Sequence, residues 1–494
     1  MIKSSPVVLF VGCWIALITT SFGFLLRAFL MDTWAAEFHF SETQKGELFG
    51  VGLWPFAISI VLFSLVIDKI GYKTAMIFGF ACHIISLVMT LMAKDYNGLY
   101  WANFVVALGN GTVEAYINPV VATQFSKDKV RWLNVLHAGW PAGLAIAGVL
   151  ALLMGDANWH TKMLLLLIPA IAYFVILIFQ KFPVNERVAA GVPYKDMLKE
   201  VGALGAFIIT WLIAVEMARS AFGDPSPLRD GTIVAAIVAI AFFGLVRTLG
   251  RPFFILLLLV MVPLATTELG VDSWVTGLMQ PVLGNNGVWV LIYTSVLMMV
   301  LRLCAGFIVH RLSPLGTLAI CSGTAATGLF LLSGATTGAF IFGAATLYAV
   351  GKTFFWPTML GLVTEQCPKG GALTLNATGG VGMLGVGVLG AMFLGNIQDT
   401  TIDKTLLEKA PKVHQEVMIE KTGMLGSYKA VDDTKVKALP EADQKIVSEV
   451  QAGSKQLALT RVTIFPLLML VVYLGLIFYF KSKGGYKPVD VGQH

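Results

Sequence analysis

Long apolar segments recur along this chain, and they constrain its fold more than any other feature. A helix needs ~20 apolar residues to cross the hydrocarbon core of a bilayer. Transmembrane β-strands would be shorter and would alternate in polarity, so the pattern predicts an all-α polytopic membrane protein. Fourteen segments are long enough, at about 6–31, 46–67, 74–93, 98–123, 132–154, 162–180, 201–220, 232–249, 252–280, 287–309, 314–334, 338–364, 372–395 and 461–480.

The overall composition agrees with a membrane protein. Apolar residues make up 56% of the 494 residues and charged residues only 13%, whereas a soluble protein carries about 25% charged residues. This excludes a cytosolic enzyme with a single anchor, a disordered or fibrous protein, and a nucleic-acid-binding protein. The net charge of +6 does not indicate DNA binding, because the basic residues lie in loops between apolar segments.

The polar residues give no sign of catalytic or metal chemistry. The seven histidines are scattered and the five cysteines have no paired spacing, so no disulfide framework, metal site or cofactor is expected. No nucleophile and base occur in a recognisable arrangement, so we expect no enzyme and no catalytic residues. Residues 1–31 lack a small-residue cleavage site after a short apolar core, and we interpret them as the first span and not as a removable signal.

Basic residues are concentrated in every second loop, which predicts the orientation. With the N-terminus inside, the short outer loops hold only Lys45, Lys94, Lys162 and Arg229. Because Lys and Arg favour the cytoplasmic side, we expect a multi-pass protein of the cell (inner) membrane with both termini in the cytoplasm. The inner loops and the C-terminal tail hold the larger set: Lys69, Lys73, Lys127, Lys129, Arg131, Lys181, Arg187, Lys195, Lys199, Arg247, Arg251, Arg311, Lys369, Lys481, Lys483 and Lys487.

One long polar loop, residues 396–460, lies outside in this orientation. Its acidic and basic residues are nearly balanced, and residues 440–460 have the pattern of an amphipathic helix with Pro440 suited to its start. Two interpretations stay open for this loop: a solvated cap or spacer, and a gate or partner-binding lid.

The chain also repeats itself at a nearly constant offset. Asp32-Thr33-Trp34 is echoed 240 residues later by Asp272-Ser273-Trp274, and Leu108-Gly109-Asn110 is echoed 242 residues later by Val350-Gly351-Lys352. Such parallel duplication is typical of transporters built from two bundles. We therefore predict a six-helix N-terminal bundle (1–185), a cytoplasmic linker with two extra transmembrane helices (186–250), and a six-helix C-terminal bundle with an extracytoplasmic loop at 396–460 (251–494).

The loop after the second span resembles a known signature. It reads Ser64-Leu-Val-Ile-Asp68-Lys69-Ile-Gly71-Tyr72-Lys73 and is similar to the Gly-x-x-x-Asp-Arg-x-Gly-Arg-Lys motif of the major facilitator superfamily, with serine for the first glycine and lysine for arginine. The resemblance implies that superfamily's fold of two pseudo-symmetric six-helix bundles, here with two extra helices and about 14 spans. From this motif we assign gating roles to Asp68, Gly71 and Lys73. A degenerate second copy in the second half of the chain gives the same role to Arg302 and Arg311.

The fourth span is similar to that of fucose-permease-like sugar–proton symporters. It reads Gly109-x-x-x-x-Glu114-x-x-x-Asn118-Pro119, and Gly351 followed by Trp356-Pro357-Thr358 resembles the matching stretch of the second half. In that family the carboxylate of the fourth span takes part in proton coupling, so the resemblance implies this role for Glu114. The two extra helices depart from the family's twelve-span plan.

Ionisable side chains inside spans are costly and often mark functional sites. Leaving out the two extra helices, most of them fall on spans 1, 4, 7 and 10, and the resemblance implies that these helices line a central cavity. Glu268 and Asp272 are four residues apart and share a helix face. Two close carboxylates do not both ionise easily, so we expect one to hold an exchangeable proton. The alternative is an ion pair with Arg27 or Lys352.

The embedded polar and aromatic residues give a candidate site. For Glu114 the alternative to proton binding is a buried structural hydrogen bond, and for His137 the alternative to a site role is a hydrogen-bonded core histidine. We assign proton coupling to Glu114, Glu268, Asp272 and Asp32, and solute binding to Arg27, Asn118, Lys352, Trp356, Trp274, Trp34 and His137.

These features predict a secondary active transporter of a small polar solute, with a sugar as the leading candidate, working by proton symport and alternating access. The first alternative is an organic-anion transporter that uses Arg27 and Lys352. Glu268 and Asp272 stand where organic-phosphate antiporters have a basic residue, which argues against a phosphate clamp. The second alternative is a non-transporting membrane sensor. The expected partners are the solute, the proton as coupling ion and the lipid bilayer, with no nucleic acid, and a monomer is expected.

Overall fold

Helices make up most of the chain. The computed structural model describes residues 5–39, 42–224, 226–272, 288–309, 311–423 and 426–491. Within these ranges the only sheet is a two-stranded one. The predicted all-α class of polytopic membrane protein is confirmed.

The N-terminal half and the short linker after it form a series of helices, and capping residues mark the start of some of them. Asp95, for example, accepts a hydrogen bond from the Gly98 N–H at 2.8 Å and so caps the helix that starts at Tyr96. The helices are α1 (Pro6–Phe38), α2 (Glu42–Gly50), α3 (Trp54–Ile70), α4 (Tyr72–Met92), α5 (Tyr96–Gln124), α6 (Lys129–His137), α7 (Gly139–Leu153), α8 (Trp159–Leu164), α9 (Leu167–Ile178) and α10 (Glu186–Ala189).

The rest of the chain contains a helical hairpin and then the C-terminal half. The hairpin consists of α11 (Tyr194–Ser220) and α12 (Pro227–Val246). The C-terminal half consists of α13 (Pro252–Ala265), a π-helix (Thr266–Gly270), α14 (Val288–Leu303), α15 (Ala305–Val309), α16 (Pro314–Ser333), α17 (Gly338–Lys352), α18 (Phe355–Gln366), a 3-10 turn (Pro368–Gly370), α19 (Gly371–Leu384), a second π-helix (Gly385–Gly390), α20 (Ala391–Lys409), α21 (Pro411–Val417), β1 (Met418–Gly423), β2 (Gly426–Val431), α22 (Asp433–Lys437), α23 (Glu441–Val462) and α24 (Ile464–Ser482).

The number of membrane spans differs from the number predicted. Twelve helical stretches of the described chain are long and apolar enough to cross a membrane, so the count of fourteen is not confirmed. The predicted fourth span corresponds to α5, which has 29 residues but carries several polar side chains. The predicted span at 287–309 corresponds to α14, which has only 16 residues. The domain division and the membrane orientation stay predictions.

The two halves pack against each other mainly through three helix pairs. Helix α3 lies against α19, α7 against α14, and α6 against α18. Hydrogen bonds also cross between the halves, since Asn376 on α19 donates to the Ala115 carbonyl on α5 at 2.9 Å and Asn134 on α6 donates to the Thr358 hydroxyl at 3.3 Å. The halves are therefore closed on each other in this structure.

Glycine allows one of the closest helix crossings in the N-terminal half. At Gly143 on α7, a Cβ atom would lie 2.0 Å from the Ser21 hydroxyl oxygen and 2.6 Å from the Ile18 carbonyl oxygen of α1. Any side chain at this position would therefore push the two helices apart. Gly139 lies four residues before Gly143, and small residues at this spacing favour close helix crossings.

Two π-helical turns lie side by side in the C-terminal half. The first follows Pro263, which has no N–H to donate, and the Thr266 hydroxyl bonds back to the Val262 carbonyl at 2.8 Å. The second lies in the glycine-rich segment, and a Cβ at Gly390 would lie 2.6 Å from the Thr266 hydroxyl oxygen. Single π-turns are frequent at functional sites. The first of these two turns carries Glu268.

The described residues of the long polar loop, 396–423 and 426–460, form a folded cap. Helix α23 begins after Pro440, as the sequence predicted, and α20 packs against α23 and β2. Gln456 of the cap donates to the Ala335 carbonyl beyond α16 at 2.5 Å. We call the end of the molecule that carries the cap the outer end, and the opposite end the inner end. The cap has an apolar core of its own, made by Ile402, Leu406, Val413, Val417, Val447 and Val450.

Candidate solute and proton site

A small cavity lies between the two halves, at the point where several of the predicted residues meet. Its volume is about 30 Å³, which is enough for a water molecule but far below the roughly 300–1,000 Å³ of a small-molecule pocket. The cavity of the described structure therefore has no room for a solute. The N-terminal half contributes Phe56, Glu114, His137 and Trp140 to the lining, and the C-terminal half contributes Glu268, Leu269, Arg302, Trp356 and Met383.

Glu114, on α5, is the carboxylate that the N-terminal half brings to the cavity. The residue is only 5% exposed, and Asn118, one helical turn further on, donates from its Nδ2 to Glu114 Oε2 at 2.5 Å. Asn118 Oδ1 accepts from His137 Nε2 at 3.0 Å, so the histidine carries a proton on Nε2. Within the described ranges no basic side chain forms an ion pair with Glu114. Burying an ionised carboxylate without a counter-charge costs free energy. A carboxylate in such an environment therefore favours binding a proton, and functional proton-binding groups are often placed in this way.

Arg302, on α14, joins the two halves at the cavity. Its buried guanidinium donates to Glu268 Oε1 at 2.7 Å, to the Thr353 carbonyl at 2.6 Å, and to the His137 carbonyl of the other half at 2.9 Å. The second oxygen of Glu268 accepts a hydrogen bond from the backbone N–H of Trp356 at 3.2 Å. The sequence had left Arg27 and Lys352 as partners for the carboxylates of this span. The structure pairs Glu268 with Arg302 instead, a residue that the sequence had assigned to gating.

Asp272 and Lys352 form a second ion pair close to the cavity. The Lys352 ammonium contacts Asp272 Oδ1 and lies 4.9 Å from the centre of the Tyr348 ring, which favours a cation–π contact. The Tyr348 hydroxyl donates to the Thr267 carbonyl at 2.6 Å. This is the ion-pair alternative that the sequence offered for Asp272, and it compensates the charge of both residues in the closed state.

Arg27 has no carboxylate partner among the residues that the structure describes. It is buried within the N-terminal half and does not line the cavity. Its Nη2 donates to the Ser86 hydroxyl at 2.9 Å and its Nη1 to the Gly23 carbonyl at 3.3 Å, while its Nε has no hydrogen-bond partner. The charge is therefore compensated only by neutral dipoles, which is unusual inside a membrane.

Three other predicted site residues do not reach the cavity or cannot be placed. The Asp32 side chain is 90% exposed and pairs with Lys45 at 2.9 Å. Trp34 is buried and packs edge-on against Trp159 with ring centres 5.9 Å apart. Trp274 lies outside the described residues. The residues that the structure does bring together are Glu114, Asn118, His137, Glu268, Arg302 and Trp356.

Part of the predicted gate is fastened at the inner end. Asp68 forms an ion pair with Arg187 of α10 at 2.5 Å, with both side chains largely buried. Gly71 ends α3 and begins α4 with φ of +81°, a conformation that favours glycine. Lys73 and Arg311 are exposed, and Arg311 lies over the Phe307 ring at 4.0 Å. The structure thus gives Asp68 and Gly71 fixed places in the closed inner end.

The linker after the first half contributes contacts that the sequence did not single out. Asn185 donates to the Tyr72 hydroxyl at 3.0 Å, and Lys129 donates to Glu186 at 2.5 Å. With Arg187, three consecutive residues are therefore fastened to the N-terminal half. The polar Asn-Glu-Arg run directly after an apolar span was the available signal.

The C-terminal tail also binds at the inner end. Tyr486 donates to the Glu365 carboxylate at 2.5 Å, and the Val489 N–H donates to the Glu365 carbonyl at 2.8 Å. Burial, aided by the neighbouring carboxylate, raises the pKa of Tyr486, so the phenol stays a hydrogen-bond donor. The tail thereby covers the end of α18.

Four residues of the cavity lining were missed by the sequence reasoning. Trp140 lies three residues after His137, at the break between α6 and α7, so helical spacing from His137 was a usable signal. Phe56, Leu269 and Met383 are apolar residues in apolar spans and carry no signal of their own. In the described part of the chain, no group of three or more His, Cys, Asp or Glu side chains is arranged to hold a metal ion.

A comparison with protein families identifies the chain. Residues 13–395 match the model of the Major Facilitator Superfamily. The protein belongs to the Major Facilitator Superfamily. It is therefore a multi-pass membrane transporter and not an enzyme. No curated protein sequence matches this superfamily member significantly.

Solved structures of other transporters share the fold of this superfamily member. The Escherichia coli fucose:proton symporter FucP has 14% identity and a TM-score of 0.58, with 94% of this chain and 99% of that chain covered. The human organic anion transporter TETRAN has 10% identity and a TM-score of 0.61, covering 95% and 100%. The E. coli proton:xylose symporter XylE has 11% identity and a TM-score of 0.60, covering 95% of each chain. At these identities the similarity extends to the fold alone.

Proposed function

We propose that the protein is a proton-coupled symporter of a small polar solute, with a sugar as the leading candidate, and that it works by alternating access. The observation that carries the proposal is the state of Glu114. It is a buried carboxylate at the cavity between the halves, and no cation of the described chain compensates it. Glu268 and Asp272, by contrast, are each paired with a cation.

The charges around the cavity suggest how a proton is coupled to closure. Two ion pairs, Glu268–Arg302 and Asp272–Lys352, are neutral as pairs, so the net charge of the region depends on Glu114. An ionised Glu114 requires water and therefore favours a state open to solvent. A protonated Glu114 removes that requirement and permits the halves to close. Symport follows if the solute binds only when Glu114 is protonated, so that the proton and the solute cross together.

The lining also suits a sugar-like solute. Aromatic rings from both halves, including Phe56, Trp140 and Trp356, face the cavity and offer flat apolar surfaces for the C–H faces of such a molecule. Asn118 and His137 supply hydrogen-bonding groups beside Glu114. Few polar groups among apolar walls are typical of small-molecule sites.

The solute class is found by a thermal-shift screen of the detergent-purified protein. Sugars, amino sugars, polyols, organic acids, nucleosides and short peptides are compared, because a ligand that binds the native state raises the apparent unfolding temperature. A shift with neutral sugars or polyols, and none with the other classes, is the expected result. A shift confined to acids, nucleosides or peptides contradicts the assigned solute class.

Coupling is then tested in vesicles with the solute that the screen identifies. Glu114→Gln is expected to abolish uptake driven by a pH gradient while leaving solute counterflow intact, because a neutral side chain mimics the protonated state. Glu408→Gln, which removes an exposed carboxylate of the cap, is the matched control and should leave both activities unchanged. Loss of both activities in a correctly folded Glu114→Gln protein would favour a structural or binding role for Glu114.

Arg27 supports a second candidate function, transport of an organic anion. Its buried guanidinium lacks a carboxylate partner within the described ranges and has an unpaired Nε, so a carboxylate-bearing solute would compensate it. Lys352, the other predicted cation, is already paired with Asp272. Arg27→Gln should then weaken binding of anionic solutes and spare neutral ones. Equal loss for both classes would contradict anion transport.

A further inference from the structure

The helical hairpin between the two halves is a closed insertion whose ends meet. The Ala203 N–H donates to the Thr248 carbonyl at 3.1 Å, and the Arg251 N–H donates to the Glu200 carbonyl at 3.0 Å. Gly202 makes this contact possible. Its φ is +58°, and a Cβ there would lie 2.0 Å from the backbone of the segment that follows α12. The chain therefore leaves the transporter and returns to it at a single point.

Helix α11 of this hairpin lies along the seam where α3 of the N-terminal half packs against α19 of the C-terminal half. It contacts α3 on one side and α13, α19 and the second π-helix on the other. Helix α12 packs chiefly against α11 and leaves Ile233, Ile237 and Ile240 exposed on its outward side. One helix of the hairpin therefore bridges the two halves, and the other faces away from them.

A cluster of charged and polar side chains lies at the outer end of α11, with Glu216 buried and Arg219 partly exposed. Arg219 donates to Glu216 Oε2 at 2.7 Å, and Ser220 donates to the other oxygen at 2.6 Å. The Arg219 Nη2 atom also lies 3.5 Å from the Gly387 carbonyl oxygen, in the second π-helix of the C-terminal half. On its other side, α11 packs against α3 of the N-terminal half. The Arg219 contact therefore links α11, which lies on α3, to the C-terminal half.

The inner end of the hairpin is fastened to both halves as well. The preceding linker is tied to the N-terminal half by the Arg187–Asp68 ion pair. The first turns of α11 are tied to the start of α13 by the Arg251–Glu200 ion pair at 3.5 Å. If one half moves against the other at this seam, contacts between the hairpin and at least one half must therefore change.

We propose that the α11–α12 hairpin is a clamp that holds the outer ends of the two halves together, with Arg219 as its outer fastening. Opening at the outer end separates α3 from α19, and contacts that bridge this seam exist only while it is closed. Such contacts stabilise the closed state relative to the open one. The clamp does not depend on which solute is carried or on whether a proton accompanies it.

The test measures the distance between the outer ends in the full-length protein in lipid nanodiscs, without added solute. Spin labels are attached to Lys94→Cys and Thr336→Cys, which lie in exposed outer loops of the two halves, in a Cys304→Ser background, because the other four cysteines are buried. Arg219→Lys keeps a cation beside Glu216 but shortens its reach to Gly387. The population with long label distances is expected to rise about twofold to threefold, the change that follows loss of a hydrogen bond at the weak end of the usual range, because the contact with Gly387 is long and partly exposed.

Two further variants make the result decisive. Arg229→Lys alters an exposed ion pair with Asp230 in the same hairpin and should leave the distances unchanged. The double variant Glu216→Gln/Arg219→Gln removes the cluster without leaving a buried charge, and it should open the outer end at least as much as Arg219→Lys does. Distance distributions that match wild type in both Arg219→Lys and the double variant, in proteins with wild-type unfolding temperature, would overturn the proposal.

Discussion

Arg302, at the end of α14, donates a 2.9 Å hydrogen bond to the backbone carbonyl of His137, at the end of α6. A charged side chain of the C-terminal half is thereby bonded to the N-terminal half beside the cavity. The same guanidinium is bonded to Glu268, so the contact between the halves is linked to the charge of the C-terminal half. His137 is in turn linked through Asn118 to Glu114, which connects the contact to the candidate proton site.

Replacing Arg302 should destabilise the protein strongly. Arg302→Gln leaves Glu268 buried without a counter-charge, and breaking a buried ion pair in this way costs about 3–5 kcal/mol. The measurement is thermal unfolding in detergent, with Arg311→Gln as the control because Arg311 is exposed. The double variant Glu268→Gln/Arg302→Gln should regain much of the lost stability. A double variant as unstable as the sum of both single variants would show that the pair does not act as a unit.

The inner gate should depend on the Asp68–Arg187 ion pair and not on Lys73. Asp68→Asn and Arg187→Gln each break the buried pair and are expected to open the inner end. In a Cys304→Ser/Cys367→Ser background, the rate at which a thiol reagent labels Thr123→Cys, which lines a narrow inner pocket between the halves, should rise several-fold in both. Lys73→Gln removes an exposed charge and should leave the rate unchanged. An equal rise in all three variants would assign the effect to net charge instead of the ion pair.

The close crossing of α1 and α7 should tolerate no side chain at Gly143. Gly143→Ala places a Cβ atom against Ser21 and Ile18, and overpacking of this kind costs about 1–3 kcal/mol. Gly343→Ala is the matched control, because nothing lies within 4 Å of the Cβ position there. Apparent unfolding temperatures should fall for the first variant and not for the second. Equal temperatures would mean that the helices separate without cost.

Much of the fold followed from the sequence, because the length and polarity of a segment suffice to predict a membrane helix. Most predicted spans correspond to apolar helices, and the exception at α5 has a physical reason. Its polar residues, such as Asn110 and Glu114, lie inside the protein and not against lipid, so the helix need not be uniformly apolar. The repeat at about 240 residues predicted a division into two halves, which stays a prediction, and it gave no information on the fold of the cap.

The partners of the embedded charges were harder to predict. The pairing of Asp272 with Lys352 was among the alternatives. For Glu268 the sequence offered an exchangeable proton or an ion pair with Arg27 or Lys352, and the structure pairs it with Arg302. Hydropathy predicts neither the rotation of a helix about its axis nor the depth of a residue in the membrane. The π-turn at Glu268 also changes which side of the helix the following residues lie on. The repeat did not show that Asp32 would be exposed.

The most direct test of the account is the proton movement that accompanies the solute. In lightly buffered vesicles, with no imposed gradient, addition of the solute found by the thermal-shift screen should make the external medium more alkaline as protons enter with it. The account predicts about one proton per solute for the wild-type protein and none for Glu114→Gln, which should still exchange solute. Equal alkalinisation by wild-type and Glu114→Gln proteins would contradict the central claim that Glu114 carries the coupled proton.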